Sequence, residues 1–380
     1  MRFEFATAGR IVFGPGTVRE VSAAAAEMGR RALVVTRASA DPKCLGLGGE
    51  GSSIHFPVHG EPTVDTVRQG TERAREQGCD LVIALGGGSA IDAGKAIAAL
   101  LTNGGDPLDY LELVGQGRPL TRPSAPCIAI PTTAGTGSEV TRNAVLGSPE
   151  HRVKASLRSP HMLPRLALVD PELTLDLPAA MTASTGLDAL TQLIEPYVSS
   201  RANAMTDLYC AEGMRLAASA LRRAWHNGHD LAARTDMACA SLLGGLALAN
   251  AGLGAVHGCA APLGGMFDAP HGAFCAALLP HVMRVNIGAL RAAPSHLQSL
   301  ERYAAVARIL TGRSHATPED GAAWVEELCR ELEVRPLGAY GVRTADVPAL
   351  AEKAANASSM KANPIALTRV QLEELLSRAL

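Results

Sequence analysis

Short apolar runs alternate with amphipathic, alanine-rich segments over the first half of the chain. The runs have the length and β-branched content of buried strands, and the segments between them have helical length. Strands are predicted at 10–13, 32–36, 54–58, 81–85 and 127–130, and helices at 17–29, 64–78 and 90–101. Thr17 is the expected N-cap of the first helix and Gly29 its end. Continuously apolar strands separated by helices predict a doubly wound, Rossmann-like parallel sheet, whose ligands lie at the carboxyl ends of the strands.

The strand signal ends near residue 180, where four prolines between 160 and 178 mark a change of pattern. Beyond it the segments have helical length and are rich in alanine and leucine. Helices are predicted at 183–199, 203–223, 231–249, 297–310, 321–332, 344–355 and 368–380. The predicted fold class is therefore α/β plus all-α, with an α/β domain at 1–180 and a helical domain at 181–380.

Composition narrows the class of protein. The 380 residues are 47% hydrophobic with a net charge of −2. Without a block of Lys and Arg, nucleic acid and anionic membrane are not expected partners, and apolar runs such as 81–85 are too short to span a bilayer. Eight scattered cysteines without a CxxC pair are typical of buried thiols in a reducing compartment, so a cytoplasmic protein is expected. Cys259 and Cys275 are expected to be small core residues.

Two polar turns follow predicted buried strands. The turn at 86–92, GGGSAID, lies between a strand and a helix, where backbone N–H groups and the helix dipole favour a phosphate. It is not the GxGxxG fingerprint, and many glycine turns bind nothing. The turn at 131–141, PTTAGTGSEVT, offers hydroxyl groups for a ribose, a carboxamide or a phosphate, or is a polar surface loop. Together the two turns predict one dinucleotide spread across the sheet edge.

The segment 252–281 is apolar and rich in small residues, yet it contains three histidines. His257 and His271 are too far apart for one helical face, and Pro262 and Pro270 are expected to interrupt the chain between two helices. Polar side chains in an apolar segment need partners. Each histidine is either a satisfied core residue or a metal ligand.

A second segment offers oxygen ligands at helical spacing. Asp188 and Gln192 are four residues apart, so they share one helix face. Alone, they form an ordinary polar pair. With His257 and His271 they form a candidate site of two oxygens and two nitrogens for a divalent metal.

Five motifs in order and spacing resemble the iron-containing (group III) alcohol dehydrogenase family over nearly the whole chain. They are GGGSAIDAGKA, PTTAGTGSEVT, VDPELT, GLDALTQLIEPY and HGCAAPLGGMFDAPHG. The resemblance implies an N-terminal dinucleotide-binding domain and a C-terminal helical metal and substrate domain, with metal and nicotinamide meeting in a cleft. It also implies a homodimer or larger homo-oligomer, and transfer of hydride between nicotinamide and a small carbonyl or alcohol substrate.

The resemblance also implies roles for single residues. Asp188, His257 and His271 fall on three of the family's four metal-ligand positions and are the expected catalytic site, with Gln192 at the fourth. The expected coenzyme contacts are Gly87, Gly88, Ser89, Asp92, Thr132, Thr133, Thr136, Ser138, Lys154 and Leu173.

Two departures from the family pattern leave alternatives open. Gln192 replaces a family histidine and is a neutral, poorer ligand than imidazole. Ala261 replaces a second histidine near the nicotinamide and cannot relay a proton. The metal is expected to be Fe, with Zn, Ni or no metal as alternatives. A metal-independent reductase of the maleylacetate type and a non-catalytic dinucleotide-binding protein are the other interpretations.

The choice of coenzyme depends on the end of the strand at 32–36. A carboxylate there would pair with the ribose 2′-hydroxyl of NAD and repel a 2′-phosphate. Arg37 and Ser39 instead offer hydrogen-bond donors. They favour NADP, with NAD as the alternative, unless Arg37 is a solvated surface side chain.

Overall fold

The computed structural model describes residues 2–37, 41–48, 51–151 and 153–380. The chain forms two compact units, Phe5–Leu175 and Asp176–Leu380, the second together with residues 2–4. The first contains a parallel sheet with helices and the second is helical, which confirms the predicted fold class. The boundary predicted near residue 180 stays a prediction.

The strands and helices of the first unit alternate as the apolar runs indicate. Its strands are β1 Ile11–Phe13, β2 Ala32–Arg37, β3 Ser53–Val58, β4 Leu81–Gly86, β5 Cys127–Pro131, β6 Asn143–Ser148, β7 Val153–Arg158 and β8 Leu166–Val169. Its helices are α1 Val21–Met28, α2 Val64–Glu76, α3 Gly88–Asn103 and α4 Pro107–Tyr110. Helix α2 begins at a reciprocal cap between Thr63 and Thr66, which satisfies backbone N–H groups that the first turn leaves free.

Six strands form one parallel sheet in the order β1-β8-β5-β4-β2-β3, and β6 and β7 form an antiparallel hairpin. From β2 the chain continues outward to β3, whereas from β4 it continues in the opposite direction to β5. The strand order therefore reverses between β2 and β4. Ligands of open α/β sheets bind at such a reversal, beyond the carboxyl ends of the strands.

Side chains alternate between the two faces of this sheet, and helices cover both faces. Leu33 and Val82 belong to a core that includes residues of α2 and α3. Val34 and Ile83 belong to a second core, with residues of α1. Because both faces are buried, the strands need apolar residues at every position, which explains their continuous apolar runs.

The second unit consists of helices whose buried sides form its core. They are α5 Ala179–Val198, α6 Ala204–His226, α7 Leu231–Ala251, α8 Ala255–Met266, α9 His271–Arg291, α10 Leu297–Thr311, α11 Pro318–Glu331, α12 Val347–Ala355 and α13 Arg369–Arg378. Helix α5 packs against α6, α7 and α9, and α8 packs against α9 and α12. This packing buries the middle of α5 on nearly every side.

Three local predictions were wrong or incomplete. Pro262 does not separate two helices, because it lies inside α8, whereas Pro270 does precede the first residue of α9. Gly16, not Thr17, holds the N-cap position of the first helical turn, and the Thr17 hydroxyl donates instead to the carbonyl of Gly14. The strand β8 and the hairpin β6–β7 were not predicted, since β8 has only four residues and the hairpin strands are half polar.

Two helices, α7 and α9, are long and apolar enough to cross a membrane by length and composition alone. Of their most apolar windows, 61% and 83% is buried inside the structure. Core helices of a globular unit have the same property, so these helices are weak evidence for a membrane span.

Candidate metal centre and coenzyme turns

Helix α5 presents three polar side chains, Asp188, Gln192 and Glu195, to the buried interior of the second unit. They lie at i, i+4 and i+7, which places them on one face of the helix. All three are at least 95% buried. Burial of two carboxylates and an amide on one face is costly unless each finds a partner.

Glu195 is hydrogen-bonded both to the start of helix α8 and to His257. Its Oε1 accepts a hydrogen bond from the backbone N–H of Val256 at 2.6 Å. Its Oε2 lies 2.7 Å from Nδ1 of His257. A carboxylate only accepts, so the imidazole donates from Nδ1, and in the neutral imidazole Nε2 presents a lone pair. Glu195 therefore fixes both the orientation and the tautomer of His257, as outer partners of metal-binding histidines do.

Helix α9 brings His271 and Cys275 to the same place, one turn apart. A glycine allows the close approach, because a Cβ on Gly272 would lie 2.5 Å from the backbone oxygen of Ser184 in α5. The same Cβ would lie 3.4 Å from Cβ of Asp188. The first turn of α9 thus packs directly on α5, beside the Asp188 carboxylate.

Four side chains form what we call the donor cluster: Asp188, His257, His271 and Cys275. One ligand atom from each lies within 4.8 Å of all the others. His257 Nε2 is 3.4 Å from Asp188 Oδ1 and 3.9 Å from Cys275 Sγ, and Cys275 Sγ is 3.5 Å from His271 Nε2. Three members are fully buried and His271 is partly exposed. The cluster has the donor types and size of a divalent metal site.

The electrostatics of the donor cluster also indicate a cation. Among the described residues, no hydrogen bond reaches Asp188 Oδ1 or Gln192 Oε1, although both atoms are buried. Burial raises the pKa of Asp188, but His257 and His271 outweigh it and hold that pKa below its ordinary value. Burial, together with the nearby charges of Asp188 and Glu195, raises the pKa of the Cys275 thiol to about 12 although His257 opposes the shift, so a cation is needed to hold a thiolate there. Buried acceptors that converge without donors fit a bound ion.

The structure brings the four predicted metal residues together, with Gln192 beside Asp188: the amide Nε2 donates to Asp188 Oδ2 at 3.1 Å. Sequence reasoning missed Glu195 as the partner of His257 and Cys275 as a member of the donor cluster. The spacing of Glu195 from Asp188 and Gln192 was a usable signal. Cys275 was harder to find, because a cysteine in an apolar helix has the pattern of an ordinary core residue.

Two turns, 86–92 and 131–141, are the predicted coenzyme turns. The first coenzyme turn joins β4 to α3, at the reversal of the strand order. Gly87 is the N-cap of α3, and no side chain caps this helix end. A Cβ on Gly88 would lie 2.9 Å from Cγ2 of Thr136, so only glycine allows the two turns to lie this close. Because no side chain caps this helix end, the first backbone N–H groups of α3 remain available to bind an anion.

Two predicted coenzyme contacts, Asp92 and Ser138, form a hydrogen bond with each other. The Ser138 hydroxyl donates to Asp92 Oδ1, and the Asp92 Oδ2 accepts from the backbone N–H of Val145 at 2.9 Å. The buried Lys95 donates to the Ser138 carbonyl at 2.9 Å and to Thr141 Oγ1 at 3.0 Å. These bonds tie the second turn to α3, and a coenzyme contact of Asp92 or Ser138 stays a prediction.

The remaining predicted contacts lie in several places of the first unit. Lys154 pairs with Glu61 at 2.8 Å, and Leu173 packs against the sheet core. Arg37 ends β2 with an exposed side chain beside the reversal of strand order. Ser39 lies outside the described residues. Ser89 belongs to the first turn of α3, and Thr132 and Thr133 follow β5.

Comparison with known proteins gives a consistent result over the whole chain. Residues 8–171 match the family model described as iron-containing alcohol dehydrogenase, and residues 182–380 match its C-terminal model. Alcohol dehydrogenase 4 of Saccharomyces cerevisiae is 36% identical over 363 residues, covering 92% of this chain and 91% of the relative.

Solved structures agree with the sequence matches. A structure of 1,3-propanediol oxidoreductase superposes with a TM-score of 0.91 at 35% identity and covers 100% of both chains. Sulfoacetaldehyde reductase from Bifidobacterium kashiwanohense, solved in complex with NAD⁺, superposes with a TM-score of 0.87 at 29% identity, covering 100% of this chain and 99% of that one.

Proposed function

Since the chain belongs to the iron-containing alcohol dehydrogenase family, we propose that Asp188, His257 and His271 hold a divalent metal at which a small aldehyde or ketone is reduced. The chain is an oxidoreductase that acts on CH–OH groups and uses a nicotinamide coenzyme and a metal. The donor cluster carries the proposal, because its buried oxygen on Asp188 lacks a hydrogen-bond partner among the described residues.

A divalent ion at this site would supply a Lewis acid that polarises the substrate oxygen. The protein contributes the positions of the donors. Glu195 holds His257 with Nε2 toward Asp188, and the Gln192 amide bonds the far oxygen of the same carboxylate. The partly exposed His271 is the member of the donor cluster nearest to solvent. Iron is the metal expected from the family, with zinc or nickel as alternatives.

The coenzyme is proposed to bind at the two turns after β4 and β5. Gly87, Gly88 and Ser89 would bind the pyrophosphate at the start of α3. Thr132, Thr133 and Thr136 offer hydroxyl groups for the nicotinamide half, and Lys154 and Leu173 would complete the site. The exposed guanidinium of Arg37 supports NADP over NAD, because it can pair with a 2′-phosphate.

A reduced nicotinamide held at the two turns would supply a hydride to the carbonyl carbon, and one proton added to the oxygen would complete the reduction of an aldehyde to a primary alcohol. In the opposite direction the oxidised coenzyme would take up the hydride. Ala261 cannot supply the proton. Water or a ribose hydroxyl of the nicotinamide is the proposed donor.

A cytoplasmic setting is proposed from the state of the cysteines. All eight cysteines lie in the described residues and are free thiols, which supports a reducing, cytoplasmic compartment. The partner is a small carbonyl or alcohol substrate, and a homodimer or larger homo-oligomer stays a prediction.

The substitution Asp188→Asn tests the metal assignment because it removes the charge and keeps the shape. We expect near-stoichiometric Fe, Zn or Ni in the unaltered protein, and loss of both metal and NADPH-dependent reduction of an aldehyde panel in the variant. Elemental analysis and NADPH oxidation measure the two. The control is Asp176→Asn, at an exposed position. If Asp188→Asn kept its metal and its activity, or the metal-free protein turned over at the same rate, the assignment would be wrong.

A further inference from the structure

We propose that Cys275 Sγ, rather than Gln192, is the fourth metal ligand, so that the ion is bound by one carboxylate, two imidazoles and one thiolate. The proposal rests on the proposed function, since it takes Asp188, His257 and His271 as the other three ligands. In this proposal Gln192 is a positioning residue, because its amide orients the Asp188 carboxylate through a hydrogen bond.

The distances support a tetrahedral set of four protein ligands, which would expand to five when a substrate oxygen binds. Metal–ligand bonds of about 2.0–2.3 Å place the ligands of a tetrahedron about 3.3–3.8 Å apart. The distances that Cys275 Sγ makes to His271 Nε2 and His257 Nε2 are 3.5 and 3.9 Å, and His257 Nε2 is 3.4 Å from Asp188 Oδ1. These three of the six separations are near the edge of one tetrahedron, and the others are at most 4.8 Å, so an ion would draw the atoms together by small rotations of the side chains.

A second observation points to a ligand at the same place. Asp188 is 98% buried, and its Oδ1, the oxygen nearest His257, accepts no hydrogen bond from any described residue. The other oxygen of the carboxylate is already engaged by Gln192 Nε2. In the neutral imidazole, Nε2 of His257 presents its lone pair toward this oxygen, since Nδ1 donates to Glu195. A cation between the carboxylate and this nitrogen satisfies both of them.

Gln192 is the weaker candidate for the fourth ligand, although its Oε1 is also without a hydrogen-bond partner among the described residues. Its amide nitrogen is held by Asp188 Oδ2, and turning the amide over would set two oxygens against each other. Its carbonyl oxygen is neutral, whereas a thiolate is charged and binds borderline metals more strongly. Cys275 loses its thiol proton to solvent when the ion binds, because only the thiolate ligates.

The ligand set has a consequence for metal choice. Carboxylate and imidazole donors suit Fe(II), but a thiolate in a tetrahedral set with imidazoles is typical of zinc. We therefore expect this chain to bind Zn(II) and Co(II) in preference to Fe(II). Elemental analysis of protein produced in medium with equal iron and zinc measures that preference.

The direct test is the absorption spectrum of the full chain produced in cobalt-supplemented medium. A Cys–Co(II) bond gives an intense thiolate-to-metal charge-transfer band in the near ultraviolet, and a tetrahedral site gives strong visible bands. We expect both in the unaltered protein. Cys275→Ser should lose the charge-transfer band, and Cys275→Ala should weaken cobalt binding more than about 100-fold, beyond the effect of an outer partner.

Matched variants separate the possible outcomes. Cys259→Ala removes another buried cysteine, in α8, and should keep the band. Gln192→Leu should also keep it. Cobalt binding without a thiolate band, or metal lost in Gln192→Leu but kept in Cys275→Ala, would overturn the proposal and leave the proposed function intact. A metal-free protein that is fully active would overturn both. The spectrum of the unaltered protein decides even where a variant does not fold.

Discussion

At the scale of single residues, the buried acids divide into two kinds. Glu195 is 95% buried, but both of its oxygens are hydrogen-bonded, to the start of α8 and to His257. Glu139, in the second coenzyme turn, is 99% buried and its Oε2 has no hydrogen-bond partner among the described residues. The first acid is fully hydrogen-bonded, whereas the second lies in surroundings that disfavour its charge.

Burial raises the pKa of Glu139 from 4.5 to about 7, although Lys95 opposes the shift. Between these two values the folded protein keeps a proton that the unfolded chain loses, so the free energy of unfolding falls as the pH rises, by up to about 3 kcal/mol. Glu139→Gln should abolish this decrease. Urea unfolding at about pH 5 and pH 8 measures it, across the window in which the two states differ in bound protons.

The matched control for this measurement is Glu172→Gln, which alters an exposed glutamate of the same unit. It should keep the full decrease in stability between the two pH values. Equal pH dependence of the unaltered protein and Glu139→Gln would show that Glu139 is ionised in the folded state.

At the scale of elements, the contact between α5 and α9 depends on one glycine. Gly272→Ala would place a Cβ 2.5 Å from the Ser184 backbone oxygen, which cannot move without displacing α5. We expect the substitution to lower the free energy of unfolding by about 1–3 kcal/mol and to lose bound metal, because His271 moves away from Asp188. Thermal unfolding and elemental analysis measure the two effects.

Gly288→Ala, in the same helix, is the control. A Cβ there meets no atom within 4 Å, so the variant should be as stable as the unaltered protein or more stable by up to about 1 kcal/mol. If both alanine variants kept their metal, the glycine contact would not position His271.

The same elements show how far the sequence predicts the fold. The strand β4 was predicted within one residue, since a short, continuous apolar run bounded by polar positions is typical of a strand buried on both faces. The strand β8 was missed because four residues are too few for a period to show. The sequence predicts that Pro262 interrupts the chain between two helices, but Pro262 lies within α8. Packing against neighbouring helices, rather than local propensity, stabilises this helix.

The donor cluster was predictable only in part, for a related reason. The family motifs include Asp188, His257 and His271, so spacing and resemblance are enough to name them. Cys275 is one helical turn after His271 in an apolar segment, and the same letters describe a core residue. Only the position of α9 against α5 distinguishes the two roles, and that position depends on contacts distant in the sequence.

At the scale of the whole molecule, each set of proposed binding residues lies within one unit. The donor cluster lies in Asp176–Leu380, whereas both coenzyme turns lie in Phe5–Leu175. Because the two sets share no side chain, NADPH should still bind after prolonged dialysis against a chelator, with an affinity lowered by less than roughly ten-fold. Titration of NADPH fluorescence before and after metal removal measures this. A ten-fold loss of affinity would show that the metal helps to form the coenzyme site.

The converse variant is Gly88→Ala. Its Cβ would lie 2.9 Å from the Thr136 side chain, between the two turns, so coenzyme binding should be lost while the metal content stays at that of the unaltered protein. Loss of metal in this variant would contradict the independence of the two sets.

The burial of the donor cluster determines how the protein acquires its ion. Asp188, His257 and Cys275 are 2%, 6% and 0% exposed, and they come from three helices packed on one another. Although His271 is partly exposed, an ion leaves its three buried ligands only when the helices that carry them separate locally, which is a slow event. Labelled zinc added to the loaded protein should therefore exchange over hours, and exchange within seconds would contradict this. The identity of the metal in each molecule therefore depends on which ions were available while that chain folded.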